Sequence, residues 1–197
     1  MKPKSKQTPI VVGLCGRKGV GKNAVARLMT AAYGFKEVSF AYHLRLELLA
    51  RFPELSMVDL TSLSTKEIYR PLMQWYGTEF RRHQDPNYWI DKLRPEVEQH
   101  LSEGTSVIIT DVRFANELDF VHSFNGTTML IEGDKSPHVD MHQSEEAFGR
   151  NAVIHTVFNS RFNPSNTALR IDTIMRNKNY PPIDPDVTAK WLKSLFK

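Results

Sequence analysis

A glycine-rich segment between an apolar run and an amphipathic pattern constrains this chain most. The apolar run "PIVVGLC" covers residues 9–15, and "GRKGVGKN" follows it at residues 16–23. Gly16, Gly21 and Lys22 match the spacing G-x-x-x-x-G-K of a phosphate-binding loop, or P-loop, which needs a strand before it and a helix after it. The sequence therefore predicts a buried strand, a loop that binds phosphate through backbone N–H groups, and a helix.

The residues after the loop support this prediction. Val25, Leu28, Met29 and Ala32 recur at positions i, i+3, i+4 and i+7, which is the pattern of a helix with one buried face. Gly34, two residues after Ala32, predicts the end of this helix, because glycine readily adopts the left-handed conformation that closes a helix.

Asn23 stands where a P-loop usually has the serine or threonine that contacts Mg²⁺. Its carboxamide oxygen is a neutral ligand able to bind the ion directly or through water. A second metal candidate, Asp111, follows the apolar run "SVIIT" at residues 106–110. P-loop enzymes use an aspartate in such a place to hold the magnesium site, although an aspartate there can also simply end a strand in a turn.

Apolar runs alternate with helical patterns along the chain, which favours an α/β fold with a mainly parallel sheet flanked by helices. Residues 54–104 have a mostly helical pattern, interrupted at Pro71, at "DPN" (85–87) and at Pro95. The predicted strands are "PIVVGLC", "FKEVSF" (35–40), "SVIIT", "TTMLIE" (127–132) and "AVIHTVF" (152–158), and a last helix is predicted at 186–196.

The predicted organisation is a tail at residues 1–8 and one domain at residues 9–197, with a helical insertion at about 41–104. Residues 133–151 are predicted to form a lid over the phosphates, because an enzyme that transfers a phosphoryl group must exclude water. Arg150 and Arg161 could add positive charge there or lie on the solvated surface. The segment "HVDMHQSEE" (138–146) has potential metal ligands at every second position, namely His138, Asp140 and His142. They could converge on a metal ion only if the segment were extended.

Composition excludes several classes of protein. The N-terminal apolar run is too short for a signal peptide or a membrane span, so we expect a cytoplasmic protein without a membrane partner. Cys15 is the only cysteine, which forbids an intramolecular disulfide and indicates a small buried residue. The net charge of +4 lies partly near the chain ends, so we expect no stable nucleic-acid binding. Dimerisation is left open.

Five blocks together resemble the deoxynucleoside monophosphate kinases typical of bacteriophages, which are P-loop kinases. They are "GRKGVGKN", "SFA" (39–41), "QWYGTEFRRHQDPNYW" (74–89), "TDVRFANEL" (110–118) and "HQSE" (142–145), in the order that the family shows. The resemblance implies a central parallel sheet of five strands, ATP on the loop, Mg²⁺, and a deoxynucleoside monophosphate bound by the insertion.

The resemblance also implies roles for individual residues. Lys22 and Arg113 are the catalytic candidates, and Asn23 and Asp111 are the metal candidates. The candidates for ATP binding are Gly16, Arg17, Lys18, Gly19, Val20, Gly21, Lys22, Asn23 and Ala24. The candidates for acceptor binding are Ser39, Phe40, Gln74, Thr78, Arg82, Asp85, Trp89, Arg113 and Glu117. Core packing is the alternative for Trp75, Tyr76, Phe80 and Trp89, and a surface ion pair for Arg82 and Asp85.

One departure bears on the acceptor. The family usually has Asp-Pro after "SFA", whereas this chain has Tyr42 and His43. A monophosphate attacks through an oxygen that is already largely ionised, since its second pKa is about 6, and so needs no general base. A hydroxyl acceptor benefits from a carboxylate. The departure therefore favours a monophosphate acceptor; the alternatives are a kinase for another small metabolite and a P-loop ATPase or switch acting on a protein or DNA.

Overall fold

The computed structural model describes residues 8–62, 64–133, 155–160 and 163–195. The strands are β1 (Val11–Cys15), β2 (Lys36–Val38), β3 (Val107–Ile109), β4 (Thr127–Gly133) and β5 (His155–Asn159). The helices are α1 (Lys22–Tyr33), α2 (Phe40–Arg51), α3 (Met57–Thr61), α4 (Lys66–Gln74), a π-helix (Trp75–Arg82), α5 (Tyr88–Ser102), α6 (Ala115–Ser123), α7 (Pro164–Arg176) and α8 (Pro185–Ser194).

The five strands form one sheet in the order β2-β3-β1-β4-β5. Strand β1 pairs in parallel with β3 on one side and with β4 on the other, and β4 pairs in parallel with β5. All five residues of β1 are buried, as expected for a central strand covered on both faces. The predicted α/β fold and each of the five predicted strands are confirmed.

The chain divides into two compact units. The first contains residues 1–37 and 99–197, and therefore the sheet with α1, α6, α7 and α8. The second contains residues 38–98, and therefore α2, α3, α4, the π-helix and most of α5. The single domain at 9–197 with an insertion at 41–104 stays a prediction.

The core of the first unit lies where α1 and α7 cover the sheet. Val25, Leu28 and Met29 of α1 are fully buried, which confirms the predicted apolar face. Gly34 ends the helix in the left-handed conformation, and its N–H donates to the carbonyl oxygen of Thr30 at 3.0 Å.

The C-terminal helix α8 packs against the helix that follows the loop. The indole N–H of Trp191, a buried residue, donates to the carbonyl oxygen of Ala24 at 2.8 Å. Ala24 lies in the first turn of α1. The C-terminal segment contributes little to the family resemblance. Its hydrogen bond nevertheless holds the first turn of α1, and a phosphate bound at the loop would depend on that turn.

The second unit contains a π-helix, a rare structure with a wider turn and a hydrogen-bond step of five residues. Two pairs of side chains have this spacing. The rings of Trp75 and Phe80 stack with centroids 5.5 Å apart, and an Nη2 N–H of Arg81 donates to the hydroxyl of Tyr76 at 3.1 Å. These contacts favour the wider turn, whereas the sequence pattern predicted an ordinary helix.

The predicted interruptions have different outcomes. Pro71 lies inside α4 and Pro95 inside α5, so neither proline ends a helix. The "DPN" segment at residues 85–87 does separate the π-helix from α5. There, Asp85 Oδ1 accepts a hydrogen bond from the backbone N–H of Asn87 at 2.9 Å.

Several predictions lie outside the described residues. They concern residues 1–7 of the predicted tail and nearly all of the predicted lid, together with His138, Asp140, His142, the "HQSE" block, Arg150 and Arg161. Within the described ranges, no helix is long and apolar enough to cross a membrane.

Cys15 provides a test of the core. Burial is the main cause that raises the pKa of its thiol from 9.0 to about 12; the negative charge of Glu117 adds to the shift and Lys22 opposes it. We expect Ellman's reagent at pH 8 to label the folded protein at least about 100-fold more slowly than the unfolded protein. Because the folded state keeps this proton above pH 9.0, the thiol should lower stability as pH rises from 9.0 towards 12. Rapid labelling under native conditions would contradict the burial.

Candidate nucleotide-binding site

Two glycines of the loop occupy positions that strongly disfavour any residue with a Cβ. Gly16 has φ of 127° and Gly21 has φ of 94°, a region that disfavours residues with a Cβ. A Cβ on Gly16 would also collide with the carbonyl oxygen of Ile131 in β4, and a Cβ on Gly21 with the side-chain amide of Asn159 in β5. The loop is therefore a close-packed turn against the ends of two neighbouring strands.

The Lys22 side chain folds back over the loop. Its Nζ donates to the carbonyl oxygen of Gly16 at 2.5 Å and to that of Arg17 at 2.9 Å. Lys22 is also the first residue of α1. Its ammonium group is thus held beside the loop, where its positive charge can stabilise a bound polyphosphate.

The N-terminus of α1 supplies further positive potential. Gly21 is the N-cap, no side chain accepts a hydrogen bond as a cap, and no acidic residue lies in the first turn. The first N–H groups of a helix carry a partial positive charge and bind anions. Because the first turn of α1 carries no acidic side chain of its own, the start of α1 is suited to a phosphate.

Asp111 lies at the same edge of the sheet as the loop. Strands β1 and β3 are parallel, so their carboxyl ends share that edge, and the N–H of Val112 donates to the carbonyl oxygen of Leu14 at 3.1 Å. The Asp111 carboxylate and the Asn23 amide oxygen are hard oxygen donors that suit Mg²⁺. No group of three or more His, Cys, Asp or Glu residues able to hold a metal occurs in the described part of the chain, so such an ion would also need phosphate and water oxygens.

Glu37 of β2 is an acidic residue at this edge that the sequence reasoning missed. Burial raises the pKa of its carboxyl group, nearby Arg27 lowers it, and the charge of Asp111 raises it further. The interaction with Asp111 makes Glu37 part of the same electrostatic environment. Glu37 lies outside the "SFA" block at residues 39–41 and belongs to no motif that could have indicated this.

Glu117 has a structural role. It is 2% exposed, and its Oε2 accepts hydrogen bonds from the N–H of Arg113 at 2.6 Å and from that of Phe114 at 3.1 Å. These contacts cap α6 and hold the backbone of Arg113. Acceptor binding by Glu117 stays a prediction, but its described contacts position the catalytic candidate Arg113.

A network around Glu47 holds the second unit together. The Glu47 carboxylate accepts hydrogen bonds from the hydroxyls of Tyr76 and Tyr88, each at 2.7 Å, and pairs with Arg81. Burial alone would raise the pKa of Glu47, but the hydrogen bonds from Tyr88, Tyr76 and Arg81 lower it below its usual value. Arg81 also lies over the Tyr88 ring, 4.8 Å from its centroid. The network joins α2, the π-helix and α5.

Three predicted acceptor residues recur at intervals of four along α4 and the π-helix. Gln74 ends α4, Thr78 lies within the π-helix, and Arg82 ends it. All three are half-buried. Arg82 donates from Nη1 to the carbonyl oxygen of Pro86 at 3.1 Å. The shape of this helix therefore controls the relative placement of an amide, a hydroxyl and a guanidinium group.

Other predicted acceptor residues make structural contacts. Ser39 caps α2, accepting a hydrogen bond from the N–H of Tyr42 at 3.1 Å. Phe40 and Trp89 are buried, and the Trp89 indole donates to the carbonyl oxygen of Gly77 at 2.9 Å. Roles for these residues and for Asp85 in acceptor binding stay predictions.

The aromatic residues of the second unit divide by exposure. Tyr76 and Trp89 are core residues, whereas Trp75 is 51% exposed.

The two residues that replace the family's Asp-Pro differ in their surroundings. Tyr42 is exposed, while His43 Nε2 lies 3.1 Å from Glu96 Oε2 of α5.

A parallel five-stranded sheet with a glycine loop leading from β1 into α1 defines a P-loop kinase fold. Residues 58–161 match the family model described as deoxynucleotide monophosphate kinase, which covers more than half of the 197 residues. The chain belongs to the deoxynucleotide monophosphate kinase family. The match includes the π-helix, Asp111 and β5 but not the loop, so family and loop are independent indications of a nucleotide kinase.

Several known proteins are similar to this chain. A protein of Acanthamoeba polyphaga mimivirus, named provisionally as a deoxynucleotide monophosphate kinase, is 25% identical over 169 residues, which cover 69% of this chain and 80% of that protein. The structure of TT1252 from Thermus thermophilus has a TM-score of 0.56 at 14% identity, covering 89% of this chain and 100% of that one. This likeness shows a shared fold. Dephospho-CoA kinase from Campylobacter jejuni has a TM-score of 0.49 at 11% identity, covering 88% of this chain and 98% of its own.

The Glu47 network makes a prediction about stability. In Arg81→Met, the side chain keeps its apolar stem but loses the charge that pairs with Glu47. Both partners are mostly buried, with side chains 24% and 19% exposed, so we expect a loss of about 1–3 kcal/mol. Urea denaturation followed by circular dichroism measures it, with Arg51→Met at the exposed end of α2 as the control. Equal midpoints for the two variants would show that the network does not hold the unit.

Proposed function

We propose that this protein transfers the γ-phosphoryl group of ATP to the 5′-phosphate of a deoxynucleoside monophosphate, giving the diphosphate and ADP. The observation that carries the proposal is the glycine loop with the Lys22 ammonium held across it at 2.5 Å and 2.9 Å from two loop carbonyls. The family match over residues 58–161 supports the nucleotide acceptor.

The reaction requires charge neutralisation more than acid–base catalysis. An acceptor phosphate oxygen attacks the γ-phosphorus, and the bond from that phosphorus to the bridging oxygen of ADP breaks. The attacking oxygen is already ionised at neutral pH, since the second pKa of a phosphate monoester is about 6. Lys22 and Arg113 stabilise charge on the transferred group. Asn23 and Asp111 would hold Mg²⁺, which neutralises phosphate charge when bound.

Acceptor recognition is assigned to the second unit. An amide and a hydroxyl, from Gln74 and Thr78, suit the polar edge of a base, and the guanidinium of Arg82 suits a phosphate. The exposed ring of Trp75 offers a surface for stacking. These residues lie on one short segment that runs from the end of α4 to the end of the π-helix.

A substrate panel tests the proposal directly. The protein is incubated with MgATP and, separately, each deoxy- and ribonucleoside monophosphate, and ADP formation is measured. We expect at least one deoxynucleoside monophosphate to stimulate ADP formation well above the rate with ATP alone. Slow turnover that no monophosphate changes would instead indicate an ATPase or switch, and stimulation by another metabolite a different kinase.

Lys22→Ala tests the catalytic assignment. Removing a preorganised donor to the transferred group typically lowers the rate about 100- to 1000-fold, so we expect kcat to fall in that range. Lys190→Ala, on an exposed position of α8, is the control and should retain the wild-type rate. Near-normal turnover by Lys22→Ala would refute the assignment.

Arg82→Ala tests acceptor binding. Loss of a charge-assisted hydrogen bond to phosphate should raise KM for the monophosphate about tenfold and leave KM for ATP unchanged. The matched control is Arg51→Ala, at an exposed position in the same unit. If Arg82→Ala leaves the acceptor KM unchanged, Arg82 does not bind the acceptor.

A further inference from the structure

A side chain at the end of β5 is bonded to the phosphate-binding loop. Asn159 is the last residue of β5, and its Nδ2 donates to the carbonyl oxygen of Val20 at 2.9 Å. Its Oδ1 accepts a hydrogen bond from the hydroxyl of Thr167 at 3.3 Å. Thr167 is fully buried in α7, and its single hydroxyl proton is shared between Asn159 Oδ1 and the carbonyl oxygen of Phe158, which lies at 3.2 Å. The Asn159 amide is therefore held between the loop and α7.

The bond to Val20 determines the direction of the next backbone N–H. A trans peptide is planar, so its carbonyl and the N–H that follows point in opposite directions, and the described residues contain no cis peptide bond. While the Val20 carbonyl points at Asn159, the Gly21 N–H points away from it. Gly21 directly precedes Lys22, the residue whose ammonium group lies over the loop.

Without such a bond, the backbone preferences of Gly21 alone would not fix the direction of this peptide. Rotation of the peptide between Val20 and Gly21 changes ψ of the first residue and φ of the second. Glycine accepts positive and negative φ almost equally, and Gly21 has φ of 94°. A rotated peptide would present a carbonyl oxygen where an N–H had been, and that oxygen would repel a phosphate.

The packing at this point leaves little room for a different arrangement. A Cβ on Gly21 would collide with the amide nitrogen of Asn159. The Val20 side chain is buried in the core of the first unit. Both residues of the peptide are therefore packed in place, and Asn159 supplies the polar contact that selects the peptide's orientation.

We propose that Asn159 is a positioning residue for nucleotide binding, which holds the Val20–Gly21 peptide so that the Gly21 N–H is directed at the polyphosphate. The inference rests on the proposed binding of nucleotide at the loop. It does not depend on which acceptor the enzyme uses. It adds the end of β5 to the phosphate site, which the loop motif alone does not include.

The experiment measures ADP binding by calorimetry in the absence of any acceptor. Asn159→Leu has similar size but no donor, and we expect its Kd for ADP to rise about tenfold. Thr167→Val keeps the shape of a buried side chain and leaves the bond from Asn159 to Val20 in place. It should bind ADP within about twofold of wild type. In turnover, Asn159→Leu should raise KM for ATP and not KM for the acceptor.

Thermal unfolding separates positioning from stability. A purely structural role predicts lower melting temperatures for both variants with unchanged ADP binding, and that result would overturn the inference. Equal loss of ADP affinity in Thr167→Val would overturn it too, because packing by α7 would then be the cause. If Asn159→Leu does not fold, Asn159→Ser, which is smaller and too short to reach Val20, replaces it in the same comparison.

The outcomes for the proposed function are separate. Wild-type protein that binds ADP but forms none with any monophosphate would refute the kinase proposal and leave the Asn159 comparison valid. Normal kinase activity with unchanged ADP affinity in Asn159→Leu would refute the role of Asn159 alone.

Discussion

The proposed nucleotide site depends on one constraint, the close packing of a backbone loop against the ends of the sheet. At Gly16 and Gly21, the backbone conformation and the neighbouring atoms both exclude a Cβ. This closeness lets the main chain itself supply the binding groups, since backbone N–H groups can reach a phosphate only where no side chain intervenes. The Lys22 ammonium group then adds a full charge beside the loop.

In the second unit, side-chain contacts stabilise an uncommon helix, the π-helix. A π-helix is rare and is usually no longer than a single turn. Here, ring stacking between Trp75 and Phe80 and the hydrogen bond between Tyr76 and Arg81 both follow its five-residue step. Glu47 joins this helix to its neighbours through three donors. Gln74, Thr78 and Arg82 are thereby carried on a segment that is held from outside.

The strands and the loop could be predicted because local patterns encode them. Buried strands are continuous apolar runs, and the P-loop requires particular residue types at fixed spacing. The π-helix could not be predicted, because its residues also fit an α-helical pattern and its stabilising partner Glu47 is distant in sequence. Glu37 and Asn159 were missed for a related reason. Neither belongs to a motif. Glu37 matters because it interacts with Asp111, and Asn159 because it donates to the Val20 carbonyl oxygen of the loop.

By itself, the sequence determined an α/β fold with five strands and a glycine loop after the first of them. It also determined membership of a kinase family, through a match over residues 58–161. Tertiary structure alone decided which of the predicted site residues use their polar groups in hydrogen bonds within the protein. Glu117 accepts a hydrogen bond from the Arg113 N–H, and Trp89 donates one to the Gly77 carbonyl oxygen. Asn159 donates one to the Val20 carbonyl oxygen in the loop. The physical reason is that a motif specifies backbone conformation over a few neighbouring residues, whereas hydrogen-bond partners are chosen by contacts between residues far apart in the chain.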